Sequence, residues 1–179
     1  IKHQDRNGMV VGDPSSSLSS SSTGTCRLAL YVDRNDDDTS YVPLIRGSSK
    51  HLRSFTNSSA QDGHTEKIME IVMADFKMLK ILIIEDKSQN TIRIPSAIGK
   101  LIHLRCFRLS SEFPSHFIVP SSIGKLRHLQ TLALHDAMKI PNVIWKLKQL
   151  KHLYLPPWKL SARIRLDGLQ NLEILENFD

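Results

Sequence analysis

The chain has 179 residues, 24 Lys and Arg against 18 Asp and Glu, and 40% hydrophobic content, enough for one domain with a core and too much for full disorder. No apolar run approaches the ~20 residues that span a bilayer. The two cysteines, Cys26 and Cys106, exclude a disulfide-dense scaffold, and no Cys/His spacing suits zinc. The polar opening stretch predicts no signal peptide. Residues 1–24 read as a linker that is too poor in apolar area to order itself, with an almost pure serine run from Ser15 to Thr23 between Pro14 and Gly24. Residues 25–75 read as a transition segment. Cys26, Leu28 and Leu30 alternate with Arg27, Ala29 and Tyr31, which predicts a half-buried strand. The acidic turn Asp33–Asp38 is no calcium loop, because Asp38 stands where such a loop needs Gly and Leu44 where it needs Glu. Leu52-x-x-Phe55 reads as a degenerate first repeat.

From residue 76 the sequence repeats itself. The unit Phe76-x-x-Leu79-x-x-Leu82-x-Ile84 returns as Leu101-x-x-Leu104-x-x-Phe107-x-Leu109, Leu126-x-x-Leu129-x-x-Leu132-x-Leu134 and Leu147-x-x-Leu150-x-x-Leu153-x-Leu155. A fifth unit, Leu169-x-x-Leu172-x-x-Leu175, ends on Asn177 with Phe178 beside it. A second motif keeps a fixed phase to the first: Ile94-Pro95-x-x-Ile98-Gly99-Lys100, Val119-Pro120-x-x-Ile123-Gly124-Lys125 and Ile140-Pro141-x-x-Ile144-Trp145-Lys146 each end one residue before the next unit.

The period falls in the range of leucine-rich repeats. The expected fold is an α/β repeat: a leucine-rich-repeat solenoid with a short parallel strand per coil on the concave face and irregular return legs, about five coils spanning 76–179 and continuing past the chain end. Alternation on a strand turns the leucines of L-x-L inward and the residues between them outward. Proline suits the return leg, where no ladder donor is needed. One coil cannot cover its own apolar face, so coils stack.

The unit I-P-x-x-I-G-K-L-x-x-L-x-x-L-x-L resembles the repeats of plant intracellular nucleotide-binding leucine-rich-repeat immune receptors. Cys26-Arg-Leu-Ala-Leu30 and the run from Tyr41 to Phe55 resemble the segment leading into those repeats. The run from Ile140 to Pro156 is most similar to their coiled-coil class. Plant cell-surface receptors place an asparagine three residues after L-x-L, where this chain has Lys87, Glu112, Ala137 and Trp158. A Ras-associated intracellular scaffold is the alternative reading, although such scaffolds usually keep even spacing and the asparagine. No G-x-x-x-x-G-K-[ST] phosphate loop is present, so nucleotide binding does not carry over and no cofactor is expected. The resemblance implies a cytoplasmic, non-catalytic binding domain with two kinds of protein partner. One is the receptor's own nucleotide-binding module, held in its off state; the other is a pathogen effector or a guarded host protein.

Outward strand positions supply the candidate partner surface: Ile81, Ile83 and Glu85; Cys106, Arg108 and Ser110; Thr131, Ala133 and His135; His152, Tyr154 and Pro156. Arg108, His135, His152, Tyr154 and Trp158 form its aromatic and basic corner, the residue types that anchor interfaces, although Trp158 also reads as a core or edge plug. Between Pro95 and Leu155 nine basic residues face only Glu112 and Asp136. Lys100, Lys125 and Lys146 share one phase, and Arg105 and Lys151 share another, which makes two rows of positive charge. By the resemblance these rows are the docking surface for the nucleotide-binding module. Nucleic acid is not an expected partner, since no stacking aromatics interleave with the cations. His103 and His128 occupy equivalent turn positions but have no further ligand at equivalent positions, and no G-x-S-x-G elbow exists, so neither metal nor catalytic chemistry is expected. Asn57-Ser58-Ser59 is a glycosylation sequon of consequence only in a secreted chain.

Overall fold

The computed structural model describes residues 3–4, 9–12, 27–32, 41–48, 50–59, 63–113, 117–156 and 164–176. In chain order its strands are β1 (His3–Gln4), β2 (Met9–Gly12), β3 (Arg27–Val32), β4 (Ser54–Ser59), β5 (Ile81–Asp86), β6 (Ile92–Arg93), β7 (Cys106–Ser111), β8 (Phe117–Ile118), β9 (Thr131–Leu134), β10 (Ala137–Lys139), β11 (His152–Tyr154) and β12 (Ile174–Glu176). Two helices, α1 (Tyr41–Arg46) and α2 (His64–Asp75), lie among them. Nine strands form one sheet in the order β1-β2-β3-β4-β5-β7-β9-β11-β12, parallel throughout except for the β1–β2 pair.

The ladder has one register. Leu28, Phe55, Leu82, Phe107, Leu132, Leu153 and Leu175 stand side by side across β3 to β12. All but the last are buried, as are Leu30, Ile84, Leu109 and Leu134 in the next inward row. Each such side chain stabilises the fold by roughly 1.5–3 kcal/mol relative to exposure, so the inward rows hold the coils together. β5, β7, β9, β11 and β12 also start in the same way: two successive amides bond one carbonyl of the preceding coil. Arg105 and Cys106 share the Lys80 carbonyl at 2.8 and 3.0 Å, and Gln130 and Thr131 share that of Arg105 at 2.8 and 2.9 Å.

The return legs are more regular than the sequence suggests. β6, β8 and β10 pair in parallel as a second, three-stranded sheet, and Ile92, Phe117 and Ala137 bury from it. Pro95 and Pro120 then start 3₁₀ turns, Ser96–Lys100 and Ser121–Lys125, with a third at Ile144–Lys146. Ile98, Ile123 and Ile144 bury from these turns. Gly99 is required by close approach: a Cβ there would lie 2.8 Å from the Ser122 carbonyl oxygen of the next coil.

The strand ladder begins well before residue 76, since both β3 and β4 are full members. The coil between β4 and β5 carries α2 where later coils carry a 3₁₀ turn. Its Ile68, Met69, Val72 and Met73 recur at helical spacing and are buried. At residues 1–24, read as a linker, the structure places β1 and β2, where Met9-Val10-Val11 supplies a short β-prone run. The serine run, the acidic turn at 33–38 and residues 177–179 lie outside the described residues. Leu175 is 40% exposed, whereas Leu153 beside it is 0% exposed.

Candidate protein-binding face

The outward rows of the large sheet follow from the same register. One row runs Arg27, Ser54, Ile81, Cys106, Thr131, His152, Ile174; the next runs Ala29, Thr56, Ile83, Arg108, Ala133, Tyr154, Glu176. Neighbouring strands stand ~4.8 Å apart, so Arg108 and Tyr154 flank Ala133 at roughly 10 Å. Ala133 is fully buried between them, although its place on the strand is outward. It is a floor position rather than a contact. Pro156, also expected outward, is buried too, because the chain has by then turned off the strand.

Arg108 is exposed and has no carboxylate partner among the described residues. His135 follows β9 directly, and its ring meets that of Tyr154 at 5.7 Å between centroids, tilted by 42°. The structure therefore brings His135 and Tyr154 into contact, with Arg108 two strands away on the same face. His152 belongs to the neighbouring row and is already engaged. Its Nδ1 lies 3.1 Å from Thr131 Oγ1 and its Nε2 lies 3.7 Å from Glu173. Trp158 lies outside the described residues. Burial pushes the Cys106 thiol up, with the Arg108 charge pulling weakly the other way.

The basic rows divide. Lys100, Lys125 and Lys146 are exposed at the ends of successive 3₁₀ turns, and the Cδ of Lys125 and of Lys146 packs where Gly99 and Gly124 lack a side chain. Arg105 is exposed just before β7. Lys151, its equivalent before β11, donates to Glu173 at 2.7 Å, so its charge is matched. The Glu173 carboxyl is held below its ordinary range, chiefly by that hydrogen bond and the Lys151 charge.

Several features escaped the sequence reading. Tyr31, nearly half exposed on β3, and Thr56 on β4 extend the concave face upstream. Trp145 gathers Lys146, Lys148 and Arg165 at 5.3–5.6 Å from its ring. Asp86 is buried, accepting from the Thr65 hydroxyl of α2, the Ser88 amide at 3.0 Å and the Ser88 hydroxyl at 2.6 Å. That carboxylate ties the end of β5 to the start of α2. The sequon asparagine, Asn57, is 0% exposed on an inward row and cannot receive a glycan in the folded chain. Among the described residues no group of three His, Cys, Asp or Glu could hold a metal, and no helix is long and apolar enough to cross a membrane.

The model of the leucine-rich repeat region family matches residues 51–179. A disease resistance protein of Arabidopsis thaliana is 29% identical over 183 residues, covering 99% of this chain and 20% of the relative. The disease resistance RPP8-like protein 2 of the same plant is 37% identical over 89 residues, covering 48% of this chain and 10% of the relative. The chain thus spans a fifth or less of the length of these relatives. Among solved structures, an internalin of Listeria monocytogenes superposes with a TM-score of 0.57 at 19% identity, over 84% of this chain and 41% of that one. At that identity the likeness speaks for the fold alone.

Proposed function

Because the chain belongs to the leucine-rich repeat region family, we propose that it is the protein-binding repeat portion of a cytoplasmic plant disease resistance receptor of the nucleotide-binding class. Its similarity to Arabidopsis thaliana disease resistance proteins supports the receptor over a Ras-associated scaffold. The observation that carries the binding role is the concave row Ile83–Arg108–Ala133–Tyr154. It sets the Arg108 guanidinium, without a carboxylate partner among the described residues, and an aromatic pair on one ladder, beside an apolar isoleucine. Arginine and tyrosine on a pre-ordered frame are the side chains that dominate protein interfaces.

In this reading the two surfaces have separate jobs. Arg108, His135 and Tyr154 meet the pathogen effector or guarded host protein. Lys100, Lys125 and Lys146 meet an acidic face of the receptor's own nucleotide-binding module and hold it off. The experiment replaces the aligned stretch of the Arabidopsis thaliana relative with this chain and scores leaf cell death. Reversing the three lysines to Glu should release death without a pathogen. Arg108→Glu with Tyr154→Ala should leave resting leaves quiet and abolish the pathogen response. Both variants behaving as the unaltered chimera would refute the division.

A further inference from the structure

We propose that the rim formed by the turns before the strands is a docking surface for an anionic lipid bilayer. This rim lies apart from the concave rows. The L-x-x-L turn of every coil places two residues at the rim, and a third follows just before the strand, so one register stacks them coil upon coil. In three successive coils these positions hold Lys77, Met78 and Lys80, then Ile102, His103 and Arg105, then Arg127, His128 and Gln130. Lys80, Arg105 and Arg127 have no carboxylate partner among the described residues. The carboxylate that enters the row further along, Glu173, is neutralised by Lys151. At or beyond the strands' far ends stand Glu85 and Asp136, together with Glu112, whose charge Lys87 matches at 3.5 Å. The charge therefore points the solenoid: this rim toward an anionic plane, the other away from it.

The apolar side chains decide between polyanions. Ile102 is 53% exposed and Met78 38% exposed, in adjacent coils, followed by Arg105 and Lys80 respectively, which have no carboxylate partner among the described residues. Against a phosphate backbone they would be idle, and these rim positions carry no Phe, Tyr or Trp for a base to stack upon, only the imidazoles of His103 and His128. A bilayer interface uses both kinds of group: cations meet the lipid phosphates and carboxylates, and apolar tips enter the headgroup boundary. The step between coils, ~4.8 Å, spreads the cations along a line that a flat surface can meet all at once.

The test is co-sedimentation of the 179-residue chain with vesicles of phosphatidylcholine alone and of phosphatidylcholine with phosphatidylserine at three to one. Binding is expected only to the second, weakening as salt rises. Lys80→Glu with Arg105→Glu should weaken it by about thirtyfold or more. Ile102→Ser leaves the charge unaltered and should weaken it severalfold with the same salt slope. Arg105 and Ile102 are exposed and Lys80 is half-buried, and equal melting temperatures will show that the variants fold. Equal sedimentation with both vesicle types would overturn the proposal. So would an unaffected Ile102→Ser chain, or binding to duplex DNA or a soluble acidic protein in place of anionic vesicles.

Discussion

Replacing Asn57 with Leu should stabilise the protein. Asn57 occupies an inward position of β4, between Leu30 and Ile84, and both neighbours are fully buried. Neither its amide nitrogen nor its oxygen finds a hydrogen-bond partner among the described residues. A buried amide without partners costs about 1–3 kcal/mol, and a buried Leu side chain contributes about 1.5–3 kcal/mol relative to exposure. Against this stand roughly 0.5–1 kcal/mol of lost side-chain freedom and about 1–3 kcal/mol of overpacking by the added bulk. The balance is a gain of about 2 kcal/mol, or a rise in Tm of roughly 4–8 °C for a chain of this size. Urea and thermal unfolding followed by circular dichroism will read it. Thr56→Leu, on the outward side of the same strand, is the control and should move the midpoint little. If Asn57→Leu lowers the midpoint while Thr56→Leu does not, the amide is partnered and the reasoning fails.

Leu132→Asp should cost several kcal/mol through an unpaired buried carboxylate, whereas Thr131→Asp on the outward side should cost about 1 kcal/mol or less; equal melting shifts would refute the register. Gly99→Ala should lower stability by about 1–3 kcal/mol in urea unfolding, because its methyl would press on the Ser122 carbonyl. Gly124→Ala should cost less, because the nearest atoms are those of the Val143 side chain at 3.1 Å and beyond. The alkylation of Cys106 should follow a pH profile centred above the free-thiol value of about 8.5, since burial raises it. Arg108→Gln removes the opposing charge and should move that profile further up; a downward movement would contradict the assignment.

Much of the fold was legible because one coil's chemistry is repeated. Leucine at fixed phase settles which side of each strand faces inward, and the proline motif settles where the return leg turns. What escaped lies where the repeat is imperfect. In β4 the inward residues are Phe55, Asn57 and Ser59, so a single apolar side chain marks a strand that the neighbouring coils complete. The helix α2 replaces the 3₁₀ turn without the proline that announces the others, although its Ile68, Met69, Val72 and Met73 carry a helical period. The second sheet rests on two- and three-residue strands, too short for any alternation to show. At the candidate site the sequence placed Arg108, His135 and Tyr154 on one face. It could not show that His152 is occupied by Thr131 and Glu173, or that Lys151 is matched by an acid from the next coil. Such pairings join residues more than twenty positions apart, and only the stacking of coils brings them together.

The most direct measurement is site-specific photo-crosslinking from the chimeric receptor in leaves challenged with a pathogen. A photoreactive side chain is placed in turn at Ile83, at Tyr154 and at Met138, which projects from the return leg with 45% exposure. The account predicts a partner adduct from Ile83 and Tyr154 and none from Met138. Adducts from Met138 alone, or equally from all three positions, would contradict it.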